Sequence, residues 1–250
     1  MTDKGLVRDN NEDSIACEVI GGVLCMIIAD GLGGQEKGEV ASSIAVSMML
    51  EILKENEDKL SAFDESAITE ILETSYQKIN NKILLRACYE KECIGMSTTL
   101  TCAILNEKRL IISHMGDCRA YLLHGSKLET LTIDHTYAAE LLKNGPADIS
   151  DEELMSARNM LTKYLGENIF ITPDIYRYNV LYGDLILLCS DGLYAYIDED
   201  KMRSILRQHS NLEKCSRNLL DEVYENGAKD NVSFVLAHNK PEDKKEFILI

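Results

Sequence analysis

The chain has little of what marks several classes of protein. Only 3 of its 250 residues are proline and 15 are glycine, which excludes collagenous, elastic and proline-rich disordered proteins. Its longest apolar run, Val23 to Ala29, is far shorter than the ~20 residues that a membrane-spanning helix requires. The first residues are charged and polar and do not resemble a secretory signal. We therefore predict no membrane segment, no export and a cytoplasmic location.

Positive charge is also scarce. The chain has 26 Lys and Arg residues against 42 Asp and Glu residues, a net charge of −16. Such a charge repels nucleic-acid phosphates and anionic lipids, so we predict no nucleic-acid partner. It would also repel a phosphate-bearing substrate, by about 1 kcal/mol for each pair of charges 4 Å apart in water. Bound cations would remove that repulsion.

The cysteines lack the spacing of a metal or redox site. None of the eight forms a C-x-x-C pair, and most lie within apolar stretches. We interpret them as reduced, buried thiols; a thiolate zinc site or a redox pair is the alternative, which the spacing does not support. With 45% apolar residues the chain can bury a sizeable core. We predict one domain over residues 1–239 and a short tail over 240–250.

Apolar residues recur with strand and helix periods along the first part of the chain. The runs Ser14 to Ile20 and Val23 to Ala29 are separated by Gly21-Gly22, which is the turn chemistry of a β-hairpin. Stripes with helical spacing follow. They predict two long amphipathic helices, over about Glu36 to Glu55 and about Ala67 to Ala87.

The pattern from residue 97 onward is mainly that of strands. Short polar turns at 106–109 and 124–126 favour antiparallel pairing. Antiparallel strands flanked by pairs of helices indicate a mixed α/β (α+β) sandwich with sheets inside and helices outside. The predicted strands are Thr98 to Leu105, Leu110 to Met115, Arg119 to Leu123, Lys127 to Thr132, Ile175 to Leu181, Leu185 to Ser190 and Val232 to Ala237, and the predicted helices Tyr137 to Lys143, one opening at the capping box Ser150 to Glu153, Asp198 to His209 and Leu212 to Asn226.

Acidic residues stand beside several predicted strands. An Asp-Gly pair is ordinary turn chemistry when it occurs once. A carboxylate at the end of a buried strand is costly unless it is paired or coordinated, and its repetition at five places favours metal ligation. Hard oxygen ligands select Mg²⁺ or Mn²⁺ over Zn²⁺. The positions are Glu12-Asp13, Asp30-Gly31, Asp117 after Gly116, Asp191-Gly192 and Asp230-Asn231. The glycines of DGLGG do not match a nucleotide-binding loop, since both the P-loop spacing and G-x-G-x-x-G are missing.

Seven motifs in order carry a family resemblance: RDNNED (8–13), ADGLGG (29–34), STTL (97–100), GDCRAYLL (116–123), DHT (134–136), SDGL (190–193) and KDNV (229–232). Over residues 1 to about 239 the chain resembles the type 2C (PPM-type) metal-dependent protein serine/threonine phosphatases, in their compact bacterial form. The resemblance implies a four-layer αββα sandwich, in which two antiparallel β-sheets are flanked by helix pairs. It also implies a two-metal centre at one edge, with a flap insert over about 136–159 beside it.

The resemblance implies a role for each matched residue. Two Mg²⁺ or Mn²⁺ ions would activate a bridging water, and the resulting hydroxide would attack phosphorus in line. A third, weaker ion is a further expectation. The implied direct ligands are Asp30, the Gly31 carbonyl, Asp191 and Asp230; Glu12 and Asp13 would act through water, Asp117 with Asp191 would hold the third ion, and Arg8 would bind phosphate.

The chain departs from the family at one informative position. Many eukaryotic members have histidine where this chain has Leu32, so no general acid is available there. No other histidine is an obvious replacement, and we expect His135 of the DHT motif to be structural. The acidic cluster of the flap either biases the enzyme toward basic phosphopeptides or forms a solvated helix start. Its members are Asp148, Asp151, Glu152 and Glu153.

The leading hypothesis is a metal-dependent hydrolase of phosphoserine and phosphothreonine in proteins, opposing a bacterial serine/threonine kinase. Its partners would be phosphorylated proteins and that kinase, and we expect a monomer. One alternative is a non-catalytic pseudophosphatase that binds phosphoproteins; loss of metal acids would indicate it, and Asp30, Asp191 and Asp230 are present. Another is a dedicated phosphatase of sporulation or stress signalling, which would share the same chemistry.

Overall fold

Two antiparallel β-sheets face each other in the middle of the fold. The computed structural model describes residues 1–32, 37–145, 149–208, 211–240 and, for the backbone alone, 246–248. The first sheet has the order β2 (Asp13–Ile20), β3 (Val23–Leu32), β5 (Leu100–Leu105), β6 (Arg109–Met115) and β9 (Asp174–Asn179), and β4 (Ser97–Thr98) pairs with β3. The second has the order β1 (Thr2–Asp3), β11 (Val232–His238), β10 (Leu185–Cys189), β7 (Arg119–His124) and β8 (Lys127–Thr130), and β12 (Glu246–Ile248) pairs with β11.

Helices cover the outer face of each sheet. The buried side chains of α1 (Gly38–Glu55) and α3 (Glu65–Tyr89) pack on the first sheet, and those of α7 (Glu199–Gln208) and α8 (Leu212–Glu225) pack on the second. A third apolar cluster lies between the sheets. These four layers confirm the predicted αββα sandwich. The remaining helices are α2 (Glu57–Ala62), α4 (Tyr137–Asn144), α5 (Asp151–Ala157) and α6 (Asp191–Tyr194), with a 3₁₀ turn at Lys91–Cys93.

The long apolar run within β3 follows from this layering. Successive strand side chains point to opposite faces of a sheet. Cys25 and Ile27 belong to the cluster under the helices, whereas Met26 and Ile28 belong to the cluster between the sheets. Because both faces are covered, every residue of the run is buried, and the usual alternation with polar residues is absent.

Most predicted elements are present, and the missed ones are short. Gly21 and Gly22 form the hairpin turn, both with positive φ, and the turns at 106–109 and 124–126 join antiparallel neighbours as predicted. Glu36, where the first helix was predicted to begin, lies outside the described residues. The prediction missed β1, α2 and α6, which have six residues or fewer. It also assigned β12 to the tail, whereas residues 246–248 pair with β11.

Two short connections cross from the first sheet to the second. Residues 116–118 join β6 to β7, and residues 180–184 join β9 to β10. Since β6 is antiparallel to β9, and β7 to β10, the two crossings lie at opposite ends of the sandwich. The eight cysteines all lie within the described residues, where none of them forms a disulfide; six are buried, and the sequence predicted this for most of them. Within the described ranges, no helix has the length and apolar character needed to span a lipid bilayer.

Candidate active site

Asp13 and Asp30 lie directly opposite each other on β2 and β3. The hydroxyl of Ser190 donates to Asp13 Oδ2 at 2.8 Å, and burial raises the pKa of Asp13 to about 6. Burial also raises the pKa of Asp30 well above its ordinary value, and the charge of Asp13 adds to this effect. Two carboxylates on directly opposed residues repel each other when both are ionised, so the pair favours a bound cation.

The strand that carries Asp30 is fixed by two threonines of the STTL motif. The Asp30 N–H donates to Thr99 Oγ1 at 2.9 Å, and the Asp30 carbonyl accepts from the Thr98 hydroxyl at 2.8 Å and from the Thr99 N–H at 2.9 Å. The Gly31 N–H donates to the Glu12 carbonyl at 3.1 Å. These bonds satisfy the backbone around Asp30 and leave its carboxylate free for other partners. Sequence reasoning missed Thr98 and Thr99, although the motif contains both.

Asp191 begins the short helix α6, directly after β10. A Cβ at the next residue, Gly192, would lie 1.8 Å from the carbonyl oxygen of Asn231, so only glycine allows this close approach. The pKa of Asp191 is raised to about 8, first by burial and then by the charges of Asp117 and Asp230. The Asp-Gly pair therefore brings the Asp191 carboxylate against the segment that carries Asp230.

Arg8 forms an ion pair with Asp230, with 2.8 Å between Arg8 Nη2 and Asp230 Oδ2. The pKa of Arg8 is raised chiefly by this hydrogen bond. Asn231 holds the N-terminal segment beside them, because its Oδ1 accepts from the Glu12 N–H and its Nδ2 donates to the carbonyls of Lys4 and Asn10. The sequence indicates Asn231 only as a neighbour of Asp230. Its partners lie more than 200 positions away in the chain, so the residues next to Asn231 in the sequence do not predict these contacts.

Asp117 lies in the first crossing between the sheets. Gly116 has φ +114°, and a Cβ there would lie 2.4 Å from Thr99 Cβ. The hydroxyl of Tyr194 donates to the Asp117 carbonyl at 3.1 Å, and the guanidinium of Arg119 lies over the Tyr194 ring, with 3.7 Å between Arg119 Cζ and the ring centroid. The pKa of Asp117 is raised to about 7, first by burial and then by the charge of Asp134. The crossing thus presents a further acid, which is itself buried, to the same site.

One cavity of about 280 Å³ collects nearly all of the predicted site residues. Asp13 does not line it; it lies beside Asp30 on the neighbouring strand. The lining consists of Arg8, Glu12, Asp30, Gly31, Leu32, Asp117, Asn159, Leu161, Asp191, Asp230 and Asn231. None of the described histidines lines it, and Leu32 presents an apolar side chain to it. The placement of these residues is observed; their individual roles as ligands stay predictions.

The donor set fits a hard divalent cation. Among the described residues, five carboxylates and one guanidinium, that of Arg8, line the cavity. Mg²⁺ and Mn²⁺ prefer carboxylate, carbonyl and water oxygens. Across the described part of the chain, no three Asp, Glu, His or Cys side chains come together closely enough to hold an ion by themselves. A cation here would therefore also need the Gly31 carbonyl and water.

The predicted flap segment lies beside this cavity. Asn159 and Asp191 line both the site and a neighbouring cavity of about 610 Å³, and α4 and α5 contribute Ala138, Leu142 and Met155 to the second. Of the acidic cluster, Asp148 lies outside the described residues. The other three acids begin α5 and line neither cavity, and Glu153 forms the predicted capping box with Ser150. This geometry favours the helix-start interpretation.

The chain is similar to known phosphatases along almost its whole length. Residues 7–225 match the family model described as protein phosphatase 2C. The serine/threonine phosphatase stp of Listeria monocytogenes is 34% identical over 94% of this chain and 92% of its own. A crystal structure of a bacterial serine phosphatase superposes with a TM-score of 0.86 at 30% identity, covering 96% of both chains. The catalytic domain of PstP, crystallised with two manganese ions, superposes with a TM-score of 0.78 at 30% identity, covering 95% of both. The chain belongs to the protein phosphatase 2C family, as a protein serine/threonine phosphatase of the compact form that its bacterial relatives have.

Proposed function

We propose that this phosphatase removes phosphate from phosphoserine and phosphothreonine in proteins by a metal-dependent hydrolysis. The observation that carries the proposal is the convergence of five acidic side chains and Arg8 on one cavity. Without cations, these acids would repel a phosphate dianion. With cations, the same acids become the means of holding it.

Asp30, Asp191, Asp230 and the carbonyl of Gly31 would bind Mg²⁺ or Mn²⁺ directly, while Glu12 and Asp13 would orient water around the ions. When bound, a pair of divalent ions lowers the pKa of water enough to supply hydroxide near neutral pH and draws charge from the phosphoryl oxygens. Asp117 and Asp191 would hold a third ion. The raised pKa values of Asp30 and Asp191 support this arrangement, because they reflect burial first and the charges of neighbouring acids second, and a bound cation would compensate for both.

Arg8 would bind the phosphate of the substrate. Its guanidinium is half exposed and lies at the cavity, paired with Asp230. Planar guanidinium groups bind two phosphate oxygens at once, as a lysine does not. If Asp230 bound a cation, its ion pair with Arg8 would weaken, and the guanidinium could then bind phosphate.

The proton for the leaving alkoxide would come from water. Leu32 lines the cavity, and no described histidine does. The carboxylates are occupied by their role as ligands. A leaving group with a low pKa, such as p-nitrophenolate, should therefore depend less on proton supply than the alkoxide of serine or threonine.

Phosphorylated proteins and a cognate bacterial serine/threonine kinase are the proposed partners. Two curated relatives, from Listeria and Streptococcus, carry the names serine/threonine phosphatase and protein phosphatase. The non-catalytic alternative is disfavoured, since every predicted acid is present and all but Asp13 reach the cavity. A dedicated phosphatase of sporulation or stress signalling would use the same site. The monomeric state and the cytoplasmic location stay predictions.

The decisive experiment compares phosphothreonine, phosphoserine and phosphotyrosine peptides of one sequence, with Mn²⁺ or Mg²⁺ and after thorough chelation. We expect hydrolysis of the first two, complete loss with chelator, and recovery when the metal is restored. Activity that survives chelation would end the metal-dependent mechanism. Equal hydrolysis of the phosphotyrosine peptide would contradict the substrate class.

A further inference from the structure

His135 holds the peptide group that precedes Asp117 from both sides. The Gly116 N–H donates to His135 Nδ1 at 3.0 Å, and the His135 N–H donates to the Gly116 carbonyl at 2.8 Å. Gly116 is the residue that turns the chain from the first sheet to the second. A single residue therefore satisfies both backbone groups of the glycine on which the position of Asp117 depends.

The partners of the His135 ring define its tautomer. A backbone N–H can only donate, so Nδ1 must be the unprotonated nitrogen and Nε2 must carry the hydrogen. Nε2 lies 3.3 Å from Asp174 Oδ2 but without the alignment of a hydrogen bond. Asp174 is in turn 2.6 Å from Lys163 Nζ. The carboxylate therefore attracts the N–H edge of the ring and keeps the acceptor edge directed at Gly116.

A second histidine supports the ring from below. His114 stacks on His135, with 4.8 Å between the ring centroids. It is fully buried between Thr101, whose hydroxyl lies 2.8 Å from Nδ1, and the carbonyl of Ile133, 3.1 Å from Nε2. Burial lowers the pKa of His114 to about 3 and also lowers that of His135, in agreement with the neutral His135 ring that the bond from the Gly116 N–H requires. Two neutral rings can stack without repulsion.

The main chain of His135 also closes the base of the flap segment. Its carbonyl accepts from the Thr162 N–H at 2.8 Å, and the next two residues pair with Leu161 and Met160. Leu161 lines the site cavity. His135 thus contacts the crossing that carries Asp117 on one side and the end of the flap segment on the other.

We infer that His135 is a positioning residue that couples the base of the flap segment to the turn that presents Asp117. The inference rests on the proposed function for its catalytic consequence and on the hydrogen bonds alone for its structural part. It assigns the DHT motif a task at the site although none of its three residues lines that cavity. The sequence predicted that His135 is structural, and this inference states which two segments it holds together.

Three substitutions at His135 distinguish the role of the Nδ1 acceptor from the role of the remaining ring atoms. The side-chain oxygen of asparagine can occupy the position of Nδ1 and accept from Gly116, whereas the amide of glutamine reaches the position of Nε2. We expect His135→Ala to weaken binding of the third Mn²⁺ ion, which Asp117 and Asp191 would hold, and to lower kcat/KM, each by about 10- to 100-fold, the usual effect of removing a residue that orients metal ligands. His135→Asn should restore most of both, and His135→Gln should behave like alanine.

Two readouts do not require activity. Mn²⁺ binding is followed by electron paramagnetic resonance of the free ion, and amide hydrogen exchange of Gly116 and Thr162 is followed by NMR. In His135→Ala both amides should exchange faster; in His135→Asn the Gly116 amide should regain its protection. If the wild-type protein hydrolyses no phosphopeptide, the proposed function fails, and these two measurements still decide this inference.

Two controls exclude general destabilisation. His124→Ala makes the same change at a histidine that contacts a carboxylate, Asp184, far from the site, and should leave Mn²⁺ binding unchanged. Leu219→Ala removes a core side chain of α8 on the opposite sheet and serves as a variant of lowered stability. The inference is overturned if His135→Ala keeps wild-type Mn²⁺ affinity and Gly116 exchange. It is equally overturned if glutamine rescues as well as asparagine, or if Leu219→Ala weakens Mn²⁺ binding to the same extent.

Discussion

The two crossings between the sheets place an aspartate in the same topological position at opposite ends of the sandwich. Both are buried, Asp117 with 8% and Asp184 with 3% of its surface exposed. Asp184 is fully engaged, since its carboxylate accepts from the Leu181 N–H at 2.8 Å and from His124 Nδ1 at 2.7 Å. Asp117 instead faces a cavity that it shares with Asp191, and its pKa is raised to about 7, chiefly by burial.

The difference between the two crossings shows how a carboxylate that stabilises the fold can be told from one that serves a functional site. A buried carboxylate that meets donors within the fold needs nothing further. One that faces other carboxylates destabilises the fold unless a ligand compensates, and such groups gather at functional sites. Both crossings contain a Gly-Asp pair, Gly116-Asp117 in one and Gly183-Asp184 in the other, so residue type alone does not distinguish them. The partners of each carboxylate do.

The largest effect is expected from the cavity end. Asp191→Asn should abolish nearly all turnover of a phosphothreonine peptide, because amide oxygen binds divalent cations far more weakly than carboxylate. The metal-free variant should be at least as stable as the wild type, since a buried acid repelled by Asp117 and Asp230 is neutralised. Steady-state kinetics with Mn²⁺ and thermal unfolding with chelator test both halves. Undiminished turnover would show that the ligand assignment is wrong.

At the crossing that carries Asp184, a substitution should lower stability and leave activity unchanged. Asp184→Ala removes the acceptor of the Leu181 N–H and the partner of His124, which should lower the free energy of unfolding by about 1–3 kcal/mol. The kcat of the folded enzyme should not change. Urea unfolding and kinetics on the same preparation provide the two numbers. If Asp184→Ala lowered kcat without lowering stability, Asp184 would serve the reaction and not the fold, and the two crossings would not differ as argued.

Arg8→Ala should have a smaller effect, mainly on KM. A charge-assisted hydrogen bond contributes about 1.5–3 kcal/mol, so KM for a phosphopeptide should rise by about 10- to 150-fold. Arg8→Lys is the matched control, because it keeps the charge and loses the planar fork. If inhibition by inorganic phosphate is unchanged in Arg8→Ala, Arg8 does not bind phosphate.

The four layers of the sandwich and the acidic residues of the site can be predicted from the sequence, because short stretches of the chain carry the signals for both. The apolar run of β3 and the helical stripes of α1 and α3 are visible within windows of twenty residues. Motif order then identifies the acids. The contacts that position them join distant segments: Asn231 reaches Lys4 and Asn10, and Ser190 reaches Asp13 across 177 positions. Such contacts depend on how strands pair, and no local pattern records that.

The smallest effect is expected from Tyr194→Phe, which tests how firmly the cavity-end crossing must be held. The change removes only the hydroxyl that donates to the Asp117 carbonyl at 3.1 Å and keeps the ring against Arg119. A neutral hydrogen bond contributes about 0.5–1.5 kcal/mol, so kcat/KM should fall by no more than about tenfold. Tyr194→Leu, which also removes the contact with Arg119, should cost more. If both variants keep full activity, the carbonyl side of Asp117 needs no support from α6, and its position depends on Gly116 and the residues that hold it.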